Sequence, residues 1–230
     1  MAKLVPLGND VHRNFKLAKQ DIEHLKDAQI IPVVAHEFPT VGSQGPIVFV
    51  KNSETGQFQA VLLCGISQGE NLFNVNGKWD GAFVPLVATL YPFKILPAGE
   101  DKITLGIIED SPCFSETEGE ALFTEDGEMT EFMTKFRDRM LDYYDRLQAT
   151  DGYAQTLVNH NLLKSQSMNL EINGEKFNID GLYFIDEEKL MDLADDVVLD
   201  FHKRGLMAVM YAQLASMHQV HTLARRKSGK

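Results

Sequence analysis

Carboxylates, imidazoles and aromatic rings gather in two stretches of this sequence. His36-Glu37 follows the apolar run Ile30–Ala35 and precedes Phe38-Pro39. A carboxylate at a strand end could act as a general base or hold a cationic group, because it carries charge and free lone pairs at neutral pH. The alternative is a Glu that caps a loop or pairs with a lysine. Glu70, Asn71, Trp79, Asp80 and Tyr91 form the second group. Trp79, the only tryptophan, could stack on a ligand; the commoner fate of an indole is burial with its N–H bonded. The ligand-binding candidates are Glu37, Glu70, Asn71, Trp79 and Tyr91, with His12 added from the N-terminal segment. Any pocket they form is expected between the front sheet and the C-terminal helices.

His218-Gln219-Val220-His221 puts two imidazoles at i and i+3. On a helix these share a face and could share a metal, with a third ligand from His202 or Asp200. The bland reading is two exposed histidines near a chain end, so His218 and His221 are a weak metal alternative and no metal is assigned. Residues 109–128 carry eight acidic side chains and no Lys or Arg, but lack the alternating ligands and central Gly of a calcium loop. They read as an exposed acidic connection. The Walker loop, the Gly-x-Ser-x-Gly elbow, His-Glu-x-x-His and Cys-x-x-Cys are all missing. Catalytic residues and cofactors are therefore unknown.

The elements that must position these residues change character near residue 110. Before it, short β-branched runs punctuated by Gly and Pro predict strands at Ile30–Ala35, Ile47–Lys51, Phe58–Ile66, Phe93–Leu96 and Lys102–Ile108. Asn52-Ser53-Glu54-Thr55-Gly56 supplies a hairpin turn between the second and third. Val84–Leu90 fits a short helix opened by Pro85 or a buried strand.

After residue 110, helical periods dominate. Met129, Phe132, Met133, Phe136, Met140, Tyr143, Tyr144 and Leu147 recur at steps of three and four, which makes one apolar helix face for a core. A second helical segment is predicted over Tyr153–Lys164. Asn173-Gly174 between Asn169–Ile172 and Glu175–Ile179 predicts a β-hairpin, since this dipeptide takes the two positive φ angles of a type I′ turn. A third strand is predicted at Leu182–Ile185. Asp186 then reads as a helix N-cap, with Ile185 and Leu190 as its hydrophobic staple. His202-Lys203-Arg204-Gly205 reads as a helix ending. The last helix, Leu206 to about Leu223, is apolar nearly all round at its start and should be buried on most sides, as a central element or a subunit contact. The fold class is α+β: mostly antiparallel sheet in the N-terminal half, helices plus a hairpin in the C-terminal half. The organisation is one domain over 1–230, β-rich to about 110, helical over about 125–224, with a basic tail at 225–230.

Charge narrows the partners. With 33 acidic against 22 basic side chains, the net charge of −11 repels phosphate backbones, so no nucleic-acid partner is expected. Arg225, Arg226, Lys227 and Lys230 read as a solvated, frayed tail. Cys64 and Cys113 form no disulfide framework. The most apolar run is about a dozen residues, short of the roughly 20 that span a bilayer, and no signal peptide is visible. A cytoplasmic location follows as an expectation. A protein partner, a small ligand, or a homo-oligomer through the C-terminal helix remain open.

Several phrases, in order, carry a resemblance. They are His36-Glu37-Phe38-Pro39, Pro46-Ile47-Val48-Phe49-Val50, Gly69-Glu70-Asn71-Leu72-Phe73, Gly77-Lys78-Trp79-Asp80 and Val84-Pro85 leading to Tyr91-Pro92-Phe93. Near the end stand Gly181-Leu182-Tyr183-Phe184-Ile185-Asp186-Glu187-Glu188-Lys189-Leu190 and Tyr211-Ala212-Gln213-Leu214-Ala215-Ser216. Over roughly residues 5–223 the chain resembles the bacterial SapC family. The resemblance implies a non-enzymatic binding or accessory protein, associated with a paracrystalline surface layer and so with the cell surface. The alternative is an enzyme, or a cofactor- or peptide-binding helper, using a pocket around Glu37, Glu70, Trp79 and Tyr91. The family brings no agreed catalytic residues. One departure is that paired basic residues often precede Tyr-Pro-Phe in the family pattern, whereas here those positions hold Thr89 and Leu90.

Overall fold

The computed structural model describes residues 3–19, 21–99 and 102–229. Helix makes up 38% and strand 25%, with antiparallel sheets mainly in the N-terminal half and helices in the C-terminal half, which is the expected α+β class. The chain sorts into two compact units, each built from two segments: Met1–Asp21 with Val87–Asp145, and Ile22–Leu86 with Arg146–Lys230.

In the first unit Phe93–Pro97 and Ile103–Ile108 pair antiparallel, and Leu4–Pro6 adds to the second of them with Leu4 opposite Ile108. Lys16–Leu17 forms the centre of a small sheet between Phe114–Ser115 and Glu120–Ala121. The acidic stretch 109–128 is thus not simply an exposed connection. Its charged side chains point out, while Cys113, Leu122 and Phe123 turn into a core with Leu17, Phe93, Ile107, Met133, Phe136 and Met140. Burial of those apolar groups outweighs the acidic composition around them.

In the second unit a five-stranded antiparallel sheet runs in the order Leu163–Ser165, Leu182–Ile185, Ile47–Lys51, Phe58–Leu63, Ile30–Pro32. The Asn52 side chain closes the central hairpin by accepting hydrogen bonds from the Glu54 and Thr55 N–H groups. The first strand stops at Pro32, earlier than expected, because the chain coils from Ala35 into a 3-10 turn and then the helical turn Phe38–Val41. Val84–Leu90 resolves as the helical turn Leu86–Thr89.

The apolar stripe from Phe132 belongs to one helix of 29 residues, Glu131–Asn159, whereas Met129, also expected on that face, lies before the helix in an isolated bridge with Phe123. The helix continues through Tyr153 and ends where Asn161 takes φ 54. There the N–H groups of Asn161 and Leu162 donate back to the Val158 and Leu157 carbonyls at 2.9 and 2.8 Å, a left-handed helix cap. The expected separate helix Tyr153–Lys164 is corrected accordingly: its last two residues, Leu163 and Lys164, belong to the strand Leu163–Ser165, paired with Tyr183–Ile185. The hairpin Met168–Ile172 with Glu175–Ile179 turns at Asn173 (φ 54) and Gly174 (φ 84), as the Asn-Gly pair predicts.

Three C-terminal readings change. Asp186 has the extended backbone of an N-cap, but its carboxylate makes no capping bond; it lies 3.6 Å from Lys164 and 4.0 Å from Lys189, so ionic attraction takes the side chain. The final helix breaks into Leu206–Ser216, a 3-10 turn Met217–Gln219 and Val220–Ser228. The first piece is buried along one stripe only, Met210, Gln213 and Ser216, and Tyr211 stays 50% exposed. Lys230 lies outside the described residues.

Two polar residues inside that stripe have a specific task. Ile47 begins the central strand, and its neighbour Leu182–Ile185 pairs only with Phe49 and Val50. The Ile47 N–H donates to Ser216 Oγ at 2.9 Å and its carbonyl accepts from Gln213 Nε2 at 2.8 Å. The helix thereby supplies the partners that strand pairing does not give Ile47.

Candidate functional site

The candidate residues divide between the units: His12 and Tyr91 in the first, Glu37, Glu70, Asn71 and Trp79 in the second. In the first unit His12 is buried; its Nδ1 faces the Gly8 N–H at 3.1 Å and its Nε2 lies 3.4 Å from Glu109, at ion-pair but not hydrogen-bond geometry. Lys3 pairs with the same Glu109, and this hydrogen bond, more than any other cause, holds that carboxyl below its ordinary range. The Tyr91 hydroxyl accepts from Ser111 Oγ at 3.2 Å, and Ser111 Oγ also accepts the Cys113 N–H. The departure at Thr89-Leu90 has a structural counterpart. Leu90 is buried in the core, and Thr89 accepts a hydrogen bond from Arg139.

In the second unit Glu37 is a buried latch. Its Oε2 accepts the Val34 N–H at 3.1 Å and its Oε1 the Leu86 N–H at 2.7 Å. Burial raises its pKa, against the pull of those bonds and of the Arg146 charge. It ties the turn after the edge strand to the start of a helical turn.

Glu70, Asn71 and Trp79 lie on one loop segment and are drawn together with the last helix. Glu70 Oε2 accepts the N–H groups of Ile66 and Ser67, and Oε1 meets Lys227 Nζ at 2.5 Å. Burial pushes this carboxyl up, but the Lys227 and backbone bonds outweigh it and the net pKa is lowered. Asn71 donates to the Leu25 carbonyl and accepts from the Phe73 N–H. Trp79 stacks on Phe73 with centroids 5.0 Å apart, and the Arg226 guanidinium lies 4.5 Å from the Phe73 ring centre. Arg226 also reaches the Asp80 carboxylate at 2.6 Å. The supposed frayed tail is therefore corrected: Arg226 and Lys227 clamp the motif block. A bonded, buried indole was expected, but Trp79 is half-buried and its Nε1 has no hydrogen-bond partner among the described residues. Gly81 packs so close that a Cβ there would stand 2.5 Å from that nitrogen.

Sequence reasoning missed Gln44, whose side-chain amide bonds both the N–H and the carbonyl of Phe83. Nothing in its local pattern marks it, because its partner lies 39 residues on. It also missed Asp151. Leu147, Asp151, Ala154, Gln155 and Val158 form one face of the long helix. With the hairpin residues Asn52 and Thr55–Gln59 they line a cleft of about 340 Å³. Burial raises the pKa of Asp151, which has no ion-pair partner among the described residues. None of the six candidates lines this cleft.

His218 and His221 are both exposed, and among the described residues no group of three His, Cys, Asp or Glu is close enough to hold a metal. Cys64 and Cys113 are buried free thiols, and burial pushes the Cys64 pKa upward. No helix among the described residues is long and apolar enough to cross a membrane.

A sequence model of the SapC family matches residues 7–223 of the 230. No curated protein matches the chain, and no solved structure does.

Proposed function

The chain belongs to the SapC family, and on that premise we propose that it is a non-enzymatic binding or accessory protein associated with the bacterial surface layer. The observation that carries the non-enzymatic part is how the motif-block carboxylates are engaged. Glu37 uses one oxygen for each of two backbone N–H groups, and Glu70 divides its oxygens between two N–H groups and Lys227. A general base needs a lone pair aimed at a substrate proton; these lone pairs are aimed at the protein's own main chain and at Lys227. The block thus supports a role in holding a binding surface in shape.

Cosedimentation tests the surface association. The purified full chain is mixed with isolated surface-layer sheets and spun. Saturable recovery in the pellet is the expected result, and a chain that stays in the supernatant at every sheet concentration removes this part of the proposal.

A second reading, a small-ligand or peptide-binding helper, draws on the cleft beside Asp151 rather than on the motif block. An unpaired carboxylate in a cleft lined by both amide and apolar side chains suits an ammonium or guanidinium group. Lysine- and arginine-containing dipeptides should then raise the melting temperature of the wild type and not of Asp151→Asn, by mass action on the native state. Equal shifts in both proteins would dispose of this reading.

A further inference from the structure

The helix Asp195–Lys203 buries Phe201 and turns Leu199 outward at 52% exposure. Ionisable side chains surround Leu199 on the outer face in a symmetric order. Asp195 and Asp196 precede it by four and three residues; His202 and Lys203 follow it by three and four. At helical spacing these four share a face with Leu199. All four are exposed, and none makes a side-chain hydrogen bond or ion pair among the described residues; Arg204 is held instead by Asp200 at 3.0 Å. After Gly205 the helix Leu206–Ser216 adds Met207 and half-exposed Tyr211, so that an apolar groove of about 500 Å³ runs between the two helices.

Read along the axis, the face is acidic, apolar, basic, with Leu199 at its midpoint. Such an order is self-complementary under a two-fold axis at Leu199, because the axis inverts height and keeps the edge of the face, so the positions four and three before the leucine meet those three and four after it in a second copy. We propose that this face pairs with itself in a homodimer. The helix Asp195–Lys203 lies antiparallel to its symmetry mate. Asp196 of each chain faces Lys203 of the other, Asp195 faces His202, and Leu199 and Tyr211 cover each other at the centre. Acidic residues at a helix start and basic ones at its end also complement the helix dipole within one chain. That accounts for the charge order but leaves an uncovered leucine and tyrosine between the charges. A chain of net charge −11 repels its own copies at long range, so this association depends on local attraction and weakens with salt.

Light scattering on the size-fractionated full chain, at low and raised salt, reads the assembly. The expected wild-type mass is that of two chains, with dissociation favoured as salt rises. Asp196→Lys and Lys203→Asp each set like charges across the axis and should weaken association by about tenfold or more. An unchanged far-UV circular dichroism spectrum shows that each variant is folded. An equimolar mixture of the two variants restores opposite charges at both contacts and should return to the two-chain mass. A wild type at the mass of one chain, single variants that still dimerise as the wild type does, or a mixture that stays monomeric would each overturn the proposal.

Discussion

At the scale of single residues, Glu37 and Glu70 look alike in the sequence, each an acidic side chain beside an apolar phrase, yet their environments push them in opposite directions. Glu70 is held charged, so it stabilises the fold above its unfolded-state pKa, and that stability is lost as pH falls through the lowered folded value. Glu37 is raised by burial, so the native state takes up its proton first and its contribution declines as pH rises through the raised value. Denaturation curves taken from neutrality down through the carboxylate range should show this as two slopes. The cost of Glu70→Gln, about 1 kcal/mol at neutral pH because the pair is partly open to water, shrinks on acidification. The cost of Glu37→Gln, about 1–3 kcal/mol for a buried N–H left without its acceptor, grows on acidification. Parallel slopes for the two variants would contradict the assignment of latch and ion pair. The sequence shows which residues carry the charge. The sign of the Glu70 shift depends on Lys227, which lies 157 residues away, and that of Glu37 on a burial that prevails over the opposing Leu86 N–H, 49 residues on; no local pattern encodes surroundings built from segments so remote.

Elements were legible where one local rule governs them and obscure where a distant partner does. The Asn173-Gly174 hairpin follows from two φ angles, and the stripe Met133, Phe136, Met140 from helical period alone. The helix end at Asn161 had a local signal too, since Asn tolerates the left-handed conformation, but the apolar residues beyond it kept up a helical rhythm. The helix Leu206–Ser216 shows the limit. Its apolar composition suggested burial all round, yet the positions that go inside include Gln213 and Ser216, because Ile47 needs a donor and an acceptor there. Ser216→Ala should therefore cost about 1–3 kcal/mol, the penalty for a buried main-chain N–H without a partner, although the substitution makes the helix more apolar and raises its intrinsic propensity. Urea denaturation measures it, and a variant as stable as the wild type would show that water or another group serves Ile47 equally well.

At the scale of the whole molecule, the change of texture near residue 110 separates strand-rich from helix-rich sequence, whereas the compact units exchange chain at 21/22, 86/87 and 145/146. Register such as Leu4 against Ile108 and Leu182 against Val50 is invisible to periodicity, because each pair closes a loop of more than a hundred residues. Two of the exchange points fall inside helices, Leu86–Thr89 and Glu131–Asn159. Unfolding either unit alone would have to unwind part of the long helix or leave its exposed half without the packing that sustains it, and isolated helical stretches of about 15 residues are marginal in water. A single cooperative transition is therefore expected for the 230 residues, despite their size, with calorimetric and van't Hoff enthalpies equal. Phe136→Ala, in the core of the first unit, and Phe201→Ala, fully buried in the second, should each cost about 3–5 kcal/mol and move that one transition downward as a whole. A scan that splits into two steps, with each substitution shifting only one of them, would mean that the shared helix does not couple the units and that the chain holds two domains.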